Sequence, residues 1–214
     1  MKTLFATLLL STSAYAFASE QPDPSCLVAP DGQCRNIMMR GVDLSGRDLR
    51  GIDLSGAVLA DADLRGADLR HARLRQIDLS GAQLQGANLT LADLRHANLR
   101  GANLTNALLD AIQGWALFAQ GATFNHASLR GANLEFARFS NAKMRHTNLQ
   151  AANLEIAWMN KVDLSGANLQ NANLQEAKLN AANLENADFR GVRKHYATFQ
   201  ATFMEGCLAC PFDW

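Results

Sequence analysis

Three groups of residues in this sequence have the types and spacing that chemistry requires. Cys207 and Cys210 form a CxxC pair close to the C-terminal end, which suits either a redox dithiol or a local disulfide. Cys26 and Cys34 form a second close pair near the other end. His126 and His146 lie twenty residues apart, and two imidazoles brought together can share a metal or sense pH. No third ligand keeps that spacing, because Asn106 precedes and Gly166 follows, so no metal site is expected. Arg50 with Arg70, and Arg75 with Arg95, recur at the same interval among Asp43, Asp48, Asp53, Asp63, Asp68, Asp78 and Asp93. This is either an interleaved surface ladder of opposite charges or a stripe that binds phosphate. There is no nucleophile motif, phosphate loop or HExxH, and no cofactor is implied. The sequence therefore predicts no enzyme.

The interval of twenty must come from the elements that carry these residues. In "GANLQNANLQEAKLNAANLENADF", Leu169, Leu174, Leu179, Leu184 and Phe189 fall every fifth residue, and an alanine stands two places before each. A helix would spiral these leucines around its cylinder, at about 100° per residue. A flat strand would turn every second one outward. A solenoid keeps them all inside, provided each five-residue unit forms one side of a coil and the chain then turns a corner. Every fifth residue from Leu44 through Leu109 is leucine. A second run from Phe124 to Phe189 mixes Leu with Phe139, Met144 and Met159. Arg47 fits the small position badly.

This pattern resembles the pentapeptide repeat family, A-(D/N)-L-x-x, from about Val42 to Phe203. The resemblance implies an all-β protein: a right-handed quadrilateral β-helix with short capping segments, four units to a square coil. Glycines such as Gly46, Gly66 and Gly166 stand where a tight turn needs an unusual φ. The Asn or Asp before each Leu is placed to bond turn backbone. Each coil leans only on its neighbours, so both ends need caps.

The resulting organisation is a signal peptide over 1–18, an N-terminal linker and cap over 19–40, the repeat β-helix over 41–203 and a C-terminal cap over 204–214. The first segment, "MKTLFATLLLSTSAYAFASE", combines Lys2, a short apolar run and small-x-small cleavage sites, and its apolar run is too short to span a bilayer. Export to the periplasm or medium follows, and in that compartment disulfides are the default. The repeats hold the two ends too far apart for cross-pairing, which leaves Cys26–Cys34 and Cys207–Cys210 as local clips. No membrane span is predicted.

The repeat breaks at "DAIQGWALFAQ", where Gly114 and Ala119 replace the central leucines. This side is either thin or bulged into a loop. Near the other end Lys194 takes a central place, and Phe199 to Phe203 is one residue short. With a twenty-residue coil, Phe118, Phe136, Arg138, Ile156 and Trp158 share one face, with Arg138 between Phe118 and Trp158. An apolar patch on a polar rod is a contact surface, covered either by the segment around Trp115, by the C-terminal tail or by a protein partner. The open coil end or this face could also pair two copies.

The chain carries 20 basic and 20 acidic residues and has zero formal net charge, so nucleic acid is not an expected partner. An exported, non-catalytic binding or structural scaffold is the function expected. The family offers an alternative, the DNA-mimicking partners of gyrase, but that mimicry needs an acidic surface and a cytoplasmic location. A secreted effector is a further alternative.

Overall fold

The computed structural model describes residues 26–27 and 30–211. The signal-peptide segment and the last three residues lie outside the described residues. From Gln33 to Leu208 the backbone repeats one motif, a single bridging residue followed by a turn, with every bridge parallel and pairing residues twenty apart. This is the expected square coil. Leucine N–H groups reach across to the next coil, as from Leu44 to the Asp63 carbonyl (2.7 Å), and Asp63 N–H returns to the Val42 carbonyl (2.9 Å).

Each corner is a β-turn. The N–H of Ala57 bonds the Leu54 carbonyl at 3.0 Å, and Gly56 between them has a φ of 71°. Positive φ at the third turn residue alone is the mark of a type II turn, which glycine enters without strain. Many corners carry side chains instead, mainly Asn, Asp, His and Ala. Among the described residues, Ile156 is the sole β-branched residue at positive φ (56°). A left-handed backbone there costs roughly 1–2 kcal/mol.

The consensus Asn or Asp works as expected. Its side-chain oxygen accepts the N–H two residues on, as Asp53 does from Ser55 (3.0 Å) and Asn88 from Thr90 (3.1 Å). Where Ser128, Lys143, Lys178 and Thr198 replace it, the coil before supplies the acceptor. Asp110, Asn125, Asn160 and Asn180 then receive the N–H groups of Arg130, Arg145, Asn180 and Gln200.

The core is a column of leucines on each side, with alanines between them, nearly all without exposed surface. Coil 110–120 does not bulge. Gly114 and Ala119 are buried in line, and large residues have moved to the small positions as Ile112 and Leu117, both with no exposed surface. Phe139 occupies the same column one coil beyond Ala119, and its ring meets Phe124 edge-on at 5.7 Å. Thr147, the polar exception at a small position, donates its hydroxyl to the Phe124 carbonyl at 2.9 Å.

Both ends differ from the sequence expectation. Bridging begins at Gln33, inside the segment assigned to the N-terminal cap, and continues to Leu208, past the assigned end at 203. The count of five is kept there, because Met204 rather than Phe203 is the inward residue; Phe203 points out, 49% exposed. Arg47 escapes its inward position and is exposed. Disulfides pair Cys26 with Cys34 and Cys207 with Cys210, with Cα atoms 5.6 and 5.7 Å apart. Leu27, beside the first, is buried over the terminal coil.

Asp53 fixes the first coils together. Its carboxylate has no exposed surface, binds Arg35 at 2.6 Å and lies 3.9 Å from Arg73. Burial pushes its pKa up, but the Ser55 hydrogen bonds and the Arg35 guanidinium outweigh burial and hold it below the usual carboxylate value. A depressed folded pKa means stability that is complete above the unfolded pKa of about 3.9 and is lost as pH falls through the folded value. Acid melts should therefore show wild-type protein losing stability below about pH 4. Asp53→Asn should flatten part of that slope while lowering stability at pH 7. Parallel slopes for the two proteins would show that Asp53 does not contribute.

Candidate functional site

The face expected from the twenty-residue count is present. Phe118, Arg138 and Trp158 are successive bridge partners in one column. The Arg138 guanidinium stands 5.2 Å from the Phe118 ring centre and 6.0 Å from that of Trp158, and Arg100 lies over Phe118 at 4.8 Å. Such contacts contribute about 0.5–1 kcal/mol each at exposed sites. Phe136 and Ile156 occupy the adjoining corner, one above the other. Trp158 is 51% exposed and Phe136 is 37% exposed.

Sequence reasoning missed one member, Trp115. The sequence places it in a segment that either thins or leaves the coil to cover the patch. In the structure it stays in the coil wall and joins the patch. Its indole meets Phe136 edge-on at 5.6 Å and His96 at 4.8 Å, and it is 36% exposed. The signal was available: position 115 lies one coil before Glu135, at the outward place next to the Phe136 corner. None of the described residues near 110–120 folds over Trp158.

The other candidate groups resolve differently. His126 and His146 stack at 5.1 Å with rings 13° apart, and His146 leans over the bare Cα of Gly166. A Cβ at Gly166 would meet His146 Nδ1 at 2.4 Å. Among the described residues, no group of three or more His, Cys, Asp or Glu is placed to hold a metal ion. The arginine columns are laced with aspartates, as in Arg50 with Asp48 (2.6 Å) and Arg70 with Asp68 (2.6 Å). Those side chains are partly exposed, so the pairs contribute little each. The CxxC cysteines are joined to each other and lie inside the last coil, which leaves no free cysteine among the described residues. No helix among the described residues is long and apolar enough to cross a membrane.

A family model for pentapeptide repeats matches in 8 copies over residues 39–76, 72–110, 120–155 and 159–193. The chain belongs to the pentapeptide repeat family. Its coil is the right-handed quadrilateral β-helix of that family. Among solved structures, HetL is similar, a pentapeptide repeat protein involved in heterocyst differentiation regulation in the cyanobacterium Nostoc sp. strain PCC 7120. It is 28% identical over 83% of this chain and 89% of that one, with a TM-score of 0.47. A trypsin-treated variant of QnrB1, a plasmid-mediated fluoroquinolone resistance protein, is 18% identical over 79% of this chain and 90% of its own, at TM-score 0.38. A pentapeptide repeat protein from the Arabidopsis thaliana thylakoid lumen is 31% identical over 57% of this chain and 77% of its own, at TM-score 0.37. No curated protein matches the chain.

Proposed function

We propose that this pentapeptide repeat protein is an exported, non-catalytic scaffold that holds a protein partner against the edge formed by Phe118, Phe136, Arg138, Ile156 and Trp158, with Trp115 beside them. The observation that carries this reading is Ile156. Its corner needs a left-handed backbone, for which Gly, Asn or Asp is the ordinary choice, yet a β-branched apolar side chain stands there beside an exposed Trp158. Other corners also carry side chains at positive φ, but a β-branched one is the most crowded there, and strain of that kind points to a use. A large aromatic anchor next to an arginine is the composition that dominates binding energy in protein interfaces. Export is supported by two disulfides, which persist in oxidising compartments. The balanced charge argues against the gyrase alternative.

The test uses two variants. Trp158→Ala should leave the melting temperature nearly unchanged, and Ile156→Asn should raise stability by about 1 kcal/mol through relief of the left-handed strain. Both should abolish capture of the partner by a photo-crosslinking residue placed at position 178, next to Trp158 in its column, in cells that express the full chain. Loss of stability in Trp158→Ala would show that the patch serves the monomer. Unchanged crosslinks in both variants would overturn the partner reading. Intact mass under non-reducing conditions, on protein from periplasm and medium, tests export: the mature chain should begin at Ser19 and be lighter by four hydrogens.

A further inference from the structure

A shallow depression opens on the wall next to this edge, towards the N-terminal end. It is lined by Arg75, Arg95, His96, Gln113, Trp115 and Asn133. Its charge is unbalanced. Arg75 gives its Nε to Asp93, while Arg95 gives Nε and one Nη to the same carboxylate. Asp93 is the sole ion-pair partner of either arginine among the described residues, so two guanidiniums share one negative charge. Both Nη groups of Arg75 and one of Arg95 remain as donors, held in place by the shared carboxylate. Arg75 is 55% exposed.

The polar lining is similarly unspent. The Asn133 side-chain oxygen already accepts from Glu135 N–H and Asn153, which leaves its amide hydrogens free to donate. Gln113 is exposed and lines the same depression. Trp115 forms one wall, wedged between the His96 and Phe136 rings. This wall stands on the one unit in which glycine, Gly114, takes the central leucine's place.

We infer that this depression is a binding site for an acidic saccharide. A fixed guanidinium with open donors forks a carboxylate or phosphate. Side-chain amides pair with adjacent hydroxyls, and an indole covers the C–H face of a sugar ring. The lining spans three coil intervals, roughly 15 Å at the spacing of paired strands, which is longer than one ring. The arrangement therefore takes an oligosaccharide laid along the rod axis. The site needs no protein partner; it shares Trp115 with the edge above, and its test reads sugar binding alone.

The test is a fluorescence titration of the full mature chain carrying Trp158→Phe, with emission from Trp115 compared in proteins with and without Trp214→Phe. The probes are tri-galacturonate, maltotriose 6-phosphate, maltotriose and tri-glutamate. Saturable change with tri-galacturonate or the phosphosugar, absent with maltotriose and tri-glutamate, is the expected result, and the stronger of the two identifies the acid group. Arg75→Gln should weaken it about tenfold or more. Arg95 still holds Asp93 in that variant, so its melting temperature should match that of the parent. No saturation by either acidic sugar at about 10 mM, an equal response to maltotriose or tri-glutamate, or an unaltered response in Arg75→Gln would overturn the assignment.

Discussion

Gly114→Leu should destabilise the protein, although it restores the consensus of the repeat. The Cβ alone would meet Leu134 Cδ2 at 2.9 Å and the Asn133 carbonyl at 3.2 Å, with Ile112 Cδ1 at 3.6 Å. Overpacking of this kind costs about 1–3 kcal/mol. The space a leucine would fill is already taken, by Leu134 from the next coil and by Ile112 from the small position. The sign should reverse when the neighbour is trimmed. Ile112→Ala by itself empties the wall at a cost of about 2–5 kcal/mol. The double variant Ile112→Ala/Gly114→Leu should recover most of the lost stability, as residues in contact do not act additively. Urea melts of the four proteins measure this cycle. A stabilising Gly114→Leu, or additive costs, would show that the exchange of large and small residues has no energetic basis.

Leu169→Asp should be more severe. Leu169 has no exposed surface, and its column continues through Leu149 and Phe189. The substitution removes apolar packing costing about 2–5 kcal/mol, and it leaves a carboxylate with no cation and no water to solvate it. Because each coil is stabilised only by its neighbours, the loss should spread to both sides rather than remain local. Asn171→Asp adds the same charge two residues away on an exposed corner, and should change stability by less than about 0.5 kcal/mol. Proteolysis should open Leu169→Asp near the altered coil and leave Asn171→Asp intact. Equal melting temperatures for the two would contradict the inward placement of the leucine column.

The leucine columns were legible because period five is incompatible with helix and flat strand alike, so the pattern itself dictates a corner at every unit. The aromatic edge was legible through the family resemblance, which sets four units to a coil: once Phe118, Arg138 and Trp158 are twenty apart, a square coil must stack them. The exchange at Ile112/Gly114 and Leu117/Ala119 was not, since it depends on volumes shared between positions rather than on the identity of any one. Trp115 was lost with it, because a unit without its leucine looked like a break. Phe203 misled for a related reason. A large aromatic suits the inward place by type, yet the unbranched Met204 fills the closing coil instead. The charge excess beside Trp115 was invisible because sequence spacing cannot say that Arg75 and Arg95 converge on one carboxylate.

The count of twenty between bridge partners also makes this molecule a dial. Twenty residues added anywhere in the coil would lengthen the rod and leave every later side chain pointing in its old direction. Five residues added between Gly121 and Gly131 would keep the inward count of five, yet swing everything downstream by a quarter turn. Trp158 would then face away from Phe118 with the leucine places still turned inward. Changes in length that keep the count of five can thus dismantle or assemble an aromatic edge in one step, so the angular setting of this surface can change without any change in its residues.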